Sequence, residues 1–162
     1  MSFALAQINE AIAEAIPERE AIITPTKRLT WRDLQLRTRR LGNVFANAGL
    51  GCHRERNGLA PWVSGQDHVA IYLYNGPEYI ESLLGAYKAR VAPFNVNYRY
   101  VEEELLYLLT DARTRGIIYH ASFAPRLAAV LPKLPAHPLL LQFDDGSGEP
   151  LLLRAREYEA AL

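Results

Sequence analysis

Between residues 68 and 143 the chain alternates between short strand-like runs and helical stripes, and this alternation most narrows what it can fold into. His68–Tyr74 carries β-branched and aromatic residues on both faces of its two-residue period, as a strand buried on both sides does. Asn75–Gly76–Pro77 turns it into a helix whose apolar stripe is Tyr79, Ile80, Leu83, Leu84 and Tyr87. Pro77 stands early in that helix, where its missing N–H costs nothing. Val91–Val96 reads as the next strand and Val101–Ala112 as the next helix, with Glu102, Glu103 and Glu104 in the first turn, where the helix dipole favours negative charge. Gly116–His120 is a third strand. A helix capped by Ser122 and closed by Pro132 leads to a fourth, Pro138–Phe143, and the turn Asp144–Gly148. Strand–helix–strand repeated three times with short links predicts an α/β fold, a mostly parallel sheet with flanking helices and right-handed crossovers.

The first fifty residues read differently. Phe3, Leu5, Ile8, Ile12 and Ile16 recur at near-helical spacing and Pro17 ends the pattern. Ala21–Ile23 is a short strand that Thr24–Lys27 turns back towards Leu29. Thr30 is a good N-cap with Asp33 three residues on. The helix it opens is expected to bury Leu34, Leu41, Val44, Phe45 and Ala48, to leave Arg32, Arg37 and Arg39 in water, and to stop at Gly49. Residues 51–66 show no period and read as a long, flexible surface loop. The chain thus divides into 1–50 (helix, hairpin, long helix), 51–66 (loop) and 67–162 (the alternating part). Ala155–Leu162 reads as a further helix just starting.

Charge and cysteine content exclude several classes. Lys plus Arg equals Asp plus Glu at 18 each, so there is no net field to draw nucleic acid or an acidic membrane. Apolar runs such as Val69–Tyr74 and Leu139–Phe143 are too short to span a bilayer, and Glu10 and Glu14 interrupt any signal-peptide pattern at the N-terminus. Cys52 is the lone cysteine, which permits no internal disulfide and suits a reducing, cytoplasmic setting.

The residues that could carry chemistry are few. Neither G-x-G-x-x-G nor G-x-x-x-x-G-K-[ST] is present, and Asn75–Gly76–Pro77 reads as a structural turn rather than a phosphate loop. Cys52 adjoins His53, but a nucleophilic pair needs a third, orienting group. His68, His120 and His137 have no zinc-site spacing, so no metal site and no catalytic residue is assigned. Glu102–Glu104 reads as a solvated helix start. Arg99, between a strand and a helix at the C-terminal edge of the expected sheet, stands where ligands bind in open α/β folds. The competing reading for Arg99 is a surface ion pair with one of those glutamates.

Several stretches together resemble the adenylate-forming, AMP-binding superfamily, the acyl-CoA synthetases in particular. Leu29–Leu34 (LTWRDL) is similar to the family's LTYAEL, and Gln66–Tyr79 (QDHVAIYLYNGPEY) to GDRVAIYLPNSPEF. Leu84–Asn97 (LGAYKARVAPFNVN) resembles LGALKAGAVVVPLNP, and Asn95–Leu105 is most like the fatty-acyl and sterol side-chain synthetases of actinobacterial type. The loop 51–66 is longer than the family's usual GVGPGD link. The resemblance implies part of the large N-terminal domain of an enzyme that uses ATP, Mg and CoA to convert a fatty or sterol side-chain carboxylic acid to its acyl-CoA. The family's Ser/Thr/Gly-rich phosphate loop, ribose-binding aspartate and catalytic lysine match no residue here. The expectation is therefore a portion inactive alone, with Arg99 on the CoA side, and with apolar surface that promotes self-association. The alternative is a free-standing flavodoxin-like binding or interaction module. A small α/β hydrolase would need a nucleophile elbow, which is absent.

Overall fold

The computed structural model describes residues 4–162. The alternating region forms strands β3 (His68–Tyr72), β4 (Ala92–Asn95), β5 (Thr114–His120), β6 (Leu139–Phe143) and β7 (Arg156–Glu157). They pair in the order β4-β3-β5-β6-β7, every pair parallel. The fold is therefore α/β with a flanked parallel sheet, as the sequence pattern predicts. Its fifth strand lies in a segment that the pattern reads as the beginning of a helix.

Strand alternation sends side chains into two cores. Val69, Ile71, Ile118 and Leu141 meet α2 (Trp31–Asn47) and α3 (Pro77–Lys88) on one face. Ala70, Tyr72, Ile117, Tyr119 and Leu140 meet α4 (Glu102–Asp111) and α5 (Ala124–Val130) on the other. Helices on opposite faces are what right-handed crossovers require once the strand order reverses at β3.

Ahead of the sheet, α1 (Leu5–Ala15) precedes an antiparallel hairpin of β1 (Glu20–Ile23) and β2 (Arg28–Thr30). The expected start of α1 at Phe3 lies outside the described residues. Thr30 caps α2 as its sequence promises: its hydroxyl accepts from the Asp33 N–H at 3.1 Å, and Asp33 accepts from the Thr30 N–H at 2.9 Å. Gly49 takes the left-handed conformation (φ 75°) that ends the helix.

Four details depart from the sequence reading, and in each a contact distant in sequence overrides local pattern. First, α1 buries Asn9 and Ala13 and leaves Leu5 and Ile8 exposed. Its rotation follows Glu10, whose carboxylate takes Gln35 at 2.8 Å, Arg39 and Lys88.

Second, α3 buries Glu78, Glu81, Ser82, Gly85 and Ala86, while Ile80 faces out. A Cβ on Gly85 would lie 2.8 Å from Leu41, so α2 and α3 approach at a contact only glycine allows. Third, Arg37 is not in water, because it reaches the buried Glu81, while Ala48 is exposed. Fourth, Ser122 caps no helix. It sits inside a 3₁₀ turn, Ala121–Phe123, and its backbone N–H donates to Asp145.

The loop 51–66 is no open tether. Its ends are joined by a Cys52–Gln66 bridge, and the His53 and Arg54 amides donate to the Gly65 carbonyl at 2.8 and 3.1 Å. The neck is so tight that a Cβ on Gly65 would lie 1.9 Å from the Arg54 carbonyl oxygen.

Candidate functional site

In an open parallel sheet, ligands bind beyond the carboxyl ends of the strands, at the point where the strand order reverses. Here that point lies between β3 and β5. Renumbered within the sheet, the order is the 2-1-3-4-5 of flavodoxin-like folds, which hold their cofactor at this crevice.

Protein groups fill the crevice in this chain. The Tyr74 N–H, just past β3, donates to His120 Nδ1 at the end of β5 at 2.9 Å. That leaves Nε2 as the protonated nitrogen, which donates to Glu78 Oε1 at 3.3 Å. His120 and Glu78 are both buried. Burial works against the Glu78 carboxylate, but the hydrogen bond from His120 and one from its own amide hold its pKa below the ordinary value.

Glu78 lies in the first turn of α3, and its carboxylate folds over the helix start: a Cβ on Gly76 would lie 1.9 Å from Glu78 Oε1. The place an anionic phosphate would take at this helix N-terminus already holds a carboxylate. Asn75–Gly76–Pro77 is thus a structural turn.

Around the pair runs an aromatic row. Tyr72 stacks on Phe123 at 4.3 Å between centroids, Tyr74 contacts Phe123 at 4.9 Å and Tyr98 at 5.1 Å, and His120 leads through Phe143 to Tyr158. Tyr74 and Tyr98 keep one side in water.

Arg99 stands at the outer end of this row, exposed, with its guanidinium 5.6 Å from the Tyr98 ring centroid. Its backbone N–H donates to Asn97 Oδ1 at 3.0 Å, which fixes the turn after β4. The ion pair with Glu102–Glu104 is not formed. Glu104 instead accepts from the Val101 N–H at 3.1 Å, and Glu102 faces Arg126 at 3.8 Å. Arg126 donates to the Tyr98 carbonyl at 3.0 Å and to the Tyr72 hydroxyl at 3.1 Å, so α5 holds the Arg99 turn in place.

Glu78, His120 and Arg126 are the site residues that sequence reasoning passes over. Glu78 and His120 had one legible signal, namely their places just after β3 and at the end of β5.

Cys52 and His53 do not act together. The His53 Nε2 lies 2.6 Å from Asp67 Oδ2, and the Cys52 thiol donates to the Arg54 carbonyl at 3.3 Å. Among the described residues no group of three or more His, Cys, Asp or Glu is placed to hold a metal ion, and no helix is long and apolar enough to cross a membrane.

The strand order is thus flavodoxin-like, the crevice at its reversal is closed by Glu78 and His120, and a cationic turn stands at the sheet edge. Residues 9–160 match the AMP-binding enzyme family, and the chain belongs to it. It is 50% identical over 161 residues to the medium-chain acyl-CoA ligase Mig of Mycobacterium avium, covering 99% of this chain and 29% of that protein. It is 29% identical over 163 residues to the 3-oxocholest-4-en-26-oate–CoA ligase of Rhodococcus rhodochrous, covering 100% of this chain and 27% of that protein. The fold is shared with a benzoate CoA ligase from Burkholderia xenovorans LB400 (TM-score 0.77, 18% identity, 99% of this chain and 28% of that one). The chain thus spans less than a third of the length of each of these three relatives. Those relatives are acyl-CoA ligases, as the sequence resemblance implies.

Proposed function

We propose that this chain is the N-terminal part of an acyl-CoA ligase that activates a medium-chain fatty acid with ATP and passes the acyl group to CoA. The single observation behind this is the 50% identity to a medium-chain acyl-CoA ligase across 99% of the chain. Sterol side-chain acids are the second reading, supported by the relative named for one. A cytoplasmic setting, where ATP and CoA are available, goes with this reading.

Within such an enzyme the residues of this chain do not fit the triphosphate or its Mg. The strand–turn–helix opening at the reversal of strand order, between β3 and α3, is occupied by the Glu78 carboxylate. No step of adenylate formation is assigned to this chain, and by itself it is inactive. CoA is a different matter. Arg99 is a cation without a carboxylate partner among the described residues, held on a turn that Asn97 and Arg126 fix. It fits a phosphate of CoA, to which a guanidinium supplies charge-assisted hydrogen bonds.

The closed crevice at Glu78 and His120 speaks against a free-standing flavodoxin-like module, which needs that space for its ligand. Exposed apolar side chains on α3 and α4, Ile80 and Tyr107 among them, support self-association of the chain. The route is a helix face rather than the β4 edge. Ala92 and Val96 direct their N–H groups to the β3 side, so alternation turns positions 93 and 95 outward, and Pro93 removes one of those two edge donors and weakens pairing with another chain there.

ATP–pyrophosphate exchange dependent on octanoate tests the activity. The full-length protein is expected to show it and the 162-residue chain to give the blank rate. Exchange by the chain alone overturns the passive role, and a full-length protein that uses only a sterol side-chain acid overturns the medium-chain reading. Light scattering over a dilution series tests self-association, which a concentration-independent monomer mass refutes.

A further inference from the structure

The loop 51–66 carries an arrangement that neither the core nor the sheet edge uses. Leu59–Ala60–Pro61–Trp62–Val63 is a run of five apolar residues, and Pro61, Trp62 and Val63 are all exposed, Trp62 at 84%. An exposed apolar run of this kind is a liability unless it has a use.

It is also held rigid. The Arg56 guanidinium donates to the Ala60 carbonyl at 3.0 Å, the Val63 carbonyl at 3.2 Å and the Pro61 carbonyl at 3.3 Å, and the Val63 N–H closes the turn on Ala60 at 2.9 Å. An arginine buttress inside the loop and a sealed neck beneath it present the indole outward at little further entropic cost on binding.

The charges beneath the tip are not balanced. Glu55 is paired with Arg90 and Asp67 with His53. Arg56 is engaged by carbonyls, and Arg54 has no ion pair among the described residues; with the histidine neutral, Arg54, Arg56 and Arg90 against Glu55 and Asp67 leave one positive charge in excess under the apolar tip. The chain is neutral as a whole, but over a few ångströms the loop is not.

We infer that this loop docks the protein on an anionic lipid surface, with Trp62 entering the interfacial layer and Arg54, which has no carboxylate partner among the described residues, facing the headgroups. Indole is the side chain that favours such an interface, apolar on one side and wet on the other. Basic residues behind an apolar edge give the second attraction that peripheral binding needs. The small exposed area speaks against a protein partner. A stable one covers about 800 Å² on each side, far more than the three exposed side chains Pro61, Trp62 and Val63 offer, whereas a bilayer needs only an apolar tip to enter its interface.

The test uses the whole chain with vesicles of phosphatidylcholine containing phosphatidylglycerol. The protein has two tryptophans, Trp31 and Trp62, so in the Trp31→Phe variant emission reports Trp62 alone. Docking predicts a blue shift on vesicle addition, quenching by brominated lipid, and weakening by salt. It predicts on the order of tenfold weaker sedimentation with vesicles for Trp62→Ala, as a lost apolar anchor should give, and a smaller loss for Arg54→Gln, both with unchanged thermal unfolding. No shift with anionic vesicles overturns the proposal. So does undiminished sedimentation of Trp62→Ala, which would mean attraction by charge alone. Dimerisation in solution that Trp62→Ala abolishes, without vesicle binding, overturns it in favour of a second copy as the occupant.

Discussion

The Tyr158 hydroxyl donates to Glu81 Oε2 at 2.9 Å, joining the four-residue α6 (Tyr158–Ala161) to the middle of α3 across 77 residues of sequence. Arg37 from α2 completes the junction, its guanidinium bidentate to Glu81 at 2.7 and 2.9 Å and also paired with Glu159. The Glu81 side chain is 1% exposed and that of Arg37 18%. A buried carboxylate between an arginine and a phenol pins three elements together, and burial beside that carboxylate pushes the Tyr158 phenol well above its ordinary pKa.

Breaking that junction from the arginine side leaves Glu81 charged and unpaired. Arg37→Met is expected to cost about 3–5 kcal/mol, the range for a broken buried pair, and Tyr158→Phe about 1–2 kcal/mol, the range for a hydrogen bond to a charged group. Urea denaturation measures both. A change below about 1 kcal/mol for Arg37→Met would mean that water reaches Glu81.

Close approach of α2 and α3 gives a second test. In Gly85→Ala the new methyl meets Leu41 at 2.8 Å, and overpacking of this kind costs about 1–3 kcal/mol. At Gly42, on the same interface, the nearest atom to a new Cβ is 3.4 Å away. Gly42→Ala is therefore expected to leave stability unchanged or raise it by up to about 1 kcal/mol through helix propensity. Equal effects of the two substitutions, read from thermal unfolding, would refute the geometry.

Acid should loosen the 3₁₀ turn after β5. Burial disfavours the Asp145 carboxylate, but hydrogen bonds from the backbone and side chains of Ser122 and Ser147 outweigh it and lower the pKa to about 2. Because the folded pKa is depressed, the contribution is present above the unfolded value of about 4 and is lost as pH falls through about 2. Glu78 and Asp33 shift in the same direction. Unfolding midpoints measured from about pH 5 downwards should therefore fall, and Asp145→Asn should flatten the curve below about pH 4. An unchanged slope in the variant would place the acid sensitivity elsewhere.

Arg99 is tested in the full-length protein. Arg99→Ala is expected to raise KM for CoA by about 10- to 100-fold, the loss of a charge-assisted contact worth about 1.5–3 kcal/mol. The rate of ATP–pyrophosphate exchange should stay unchanged, because the proposed role of Arg99 is confined to CoA. An unchanged KM for CoA would reduce Arg99 to a surface residue stacked on Tyr98.

The amino-acid sequence by itself determined the first four strands of the parallel sheet with the helices between them, and the ends of α2 and the start of α3, but neither β7 nor the start of α5. Each of these rests on groups a few residues apart: the two-residue alternation of His68–Tyr74, the Thr30–Asp33 cap, Pro77 in a first turn, Gly49 after a last one. It also carried the family, through motifs read in order along the chain, and it placed Arg99 at the edge of the sheet. Tertiary structure alone decided how α1 and α3 are rotated about their own axes. Apolar spacing pointed Ile8 and Ile80 inward, but Glu10 and Glu81 went in because Arg39, Lys88 and Arg37 arrive from other helices to meet them. A carboxylate is buried only where a partner compensates its lost hydration, and that partner is dozens of residues away, beyond the reach of any local pattern. The same reason hid the Glu78–His120 pair, which exists only once β3 and β5 lie side by side.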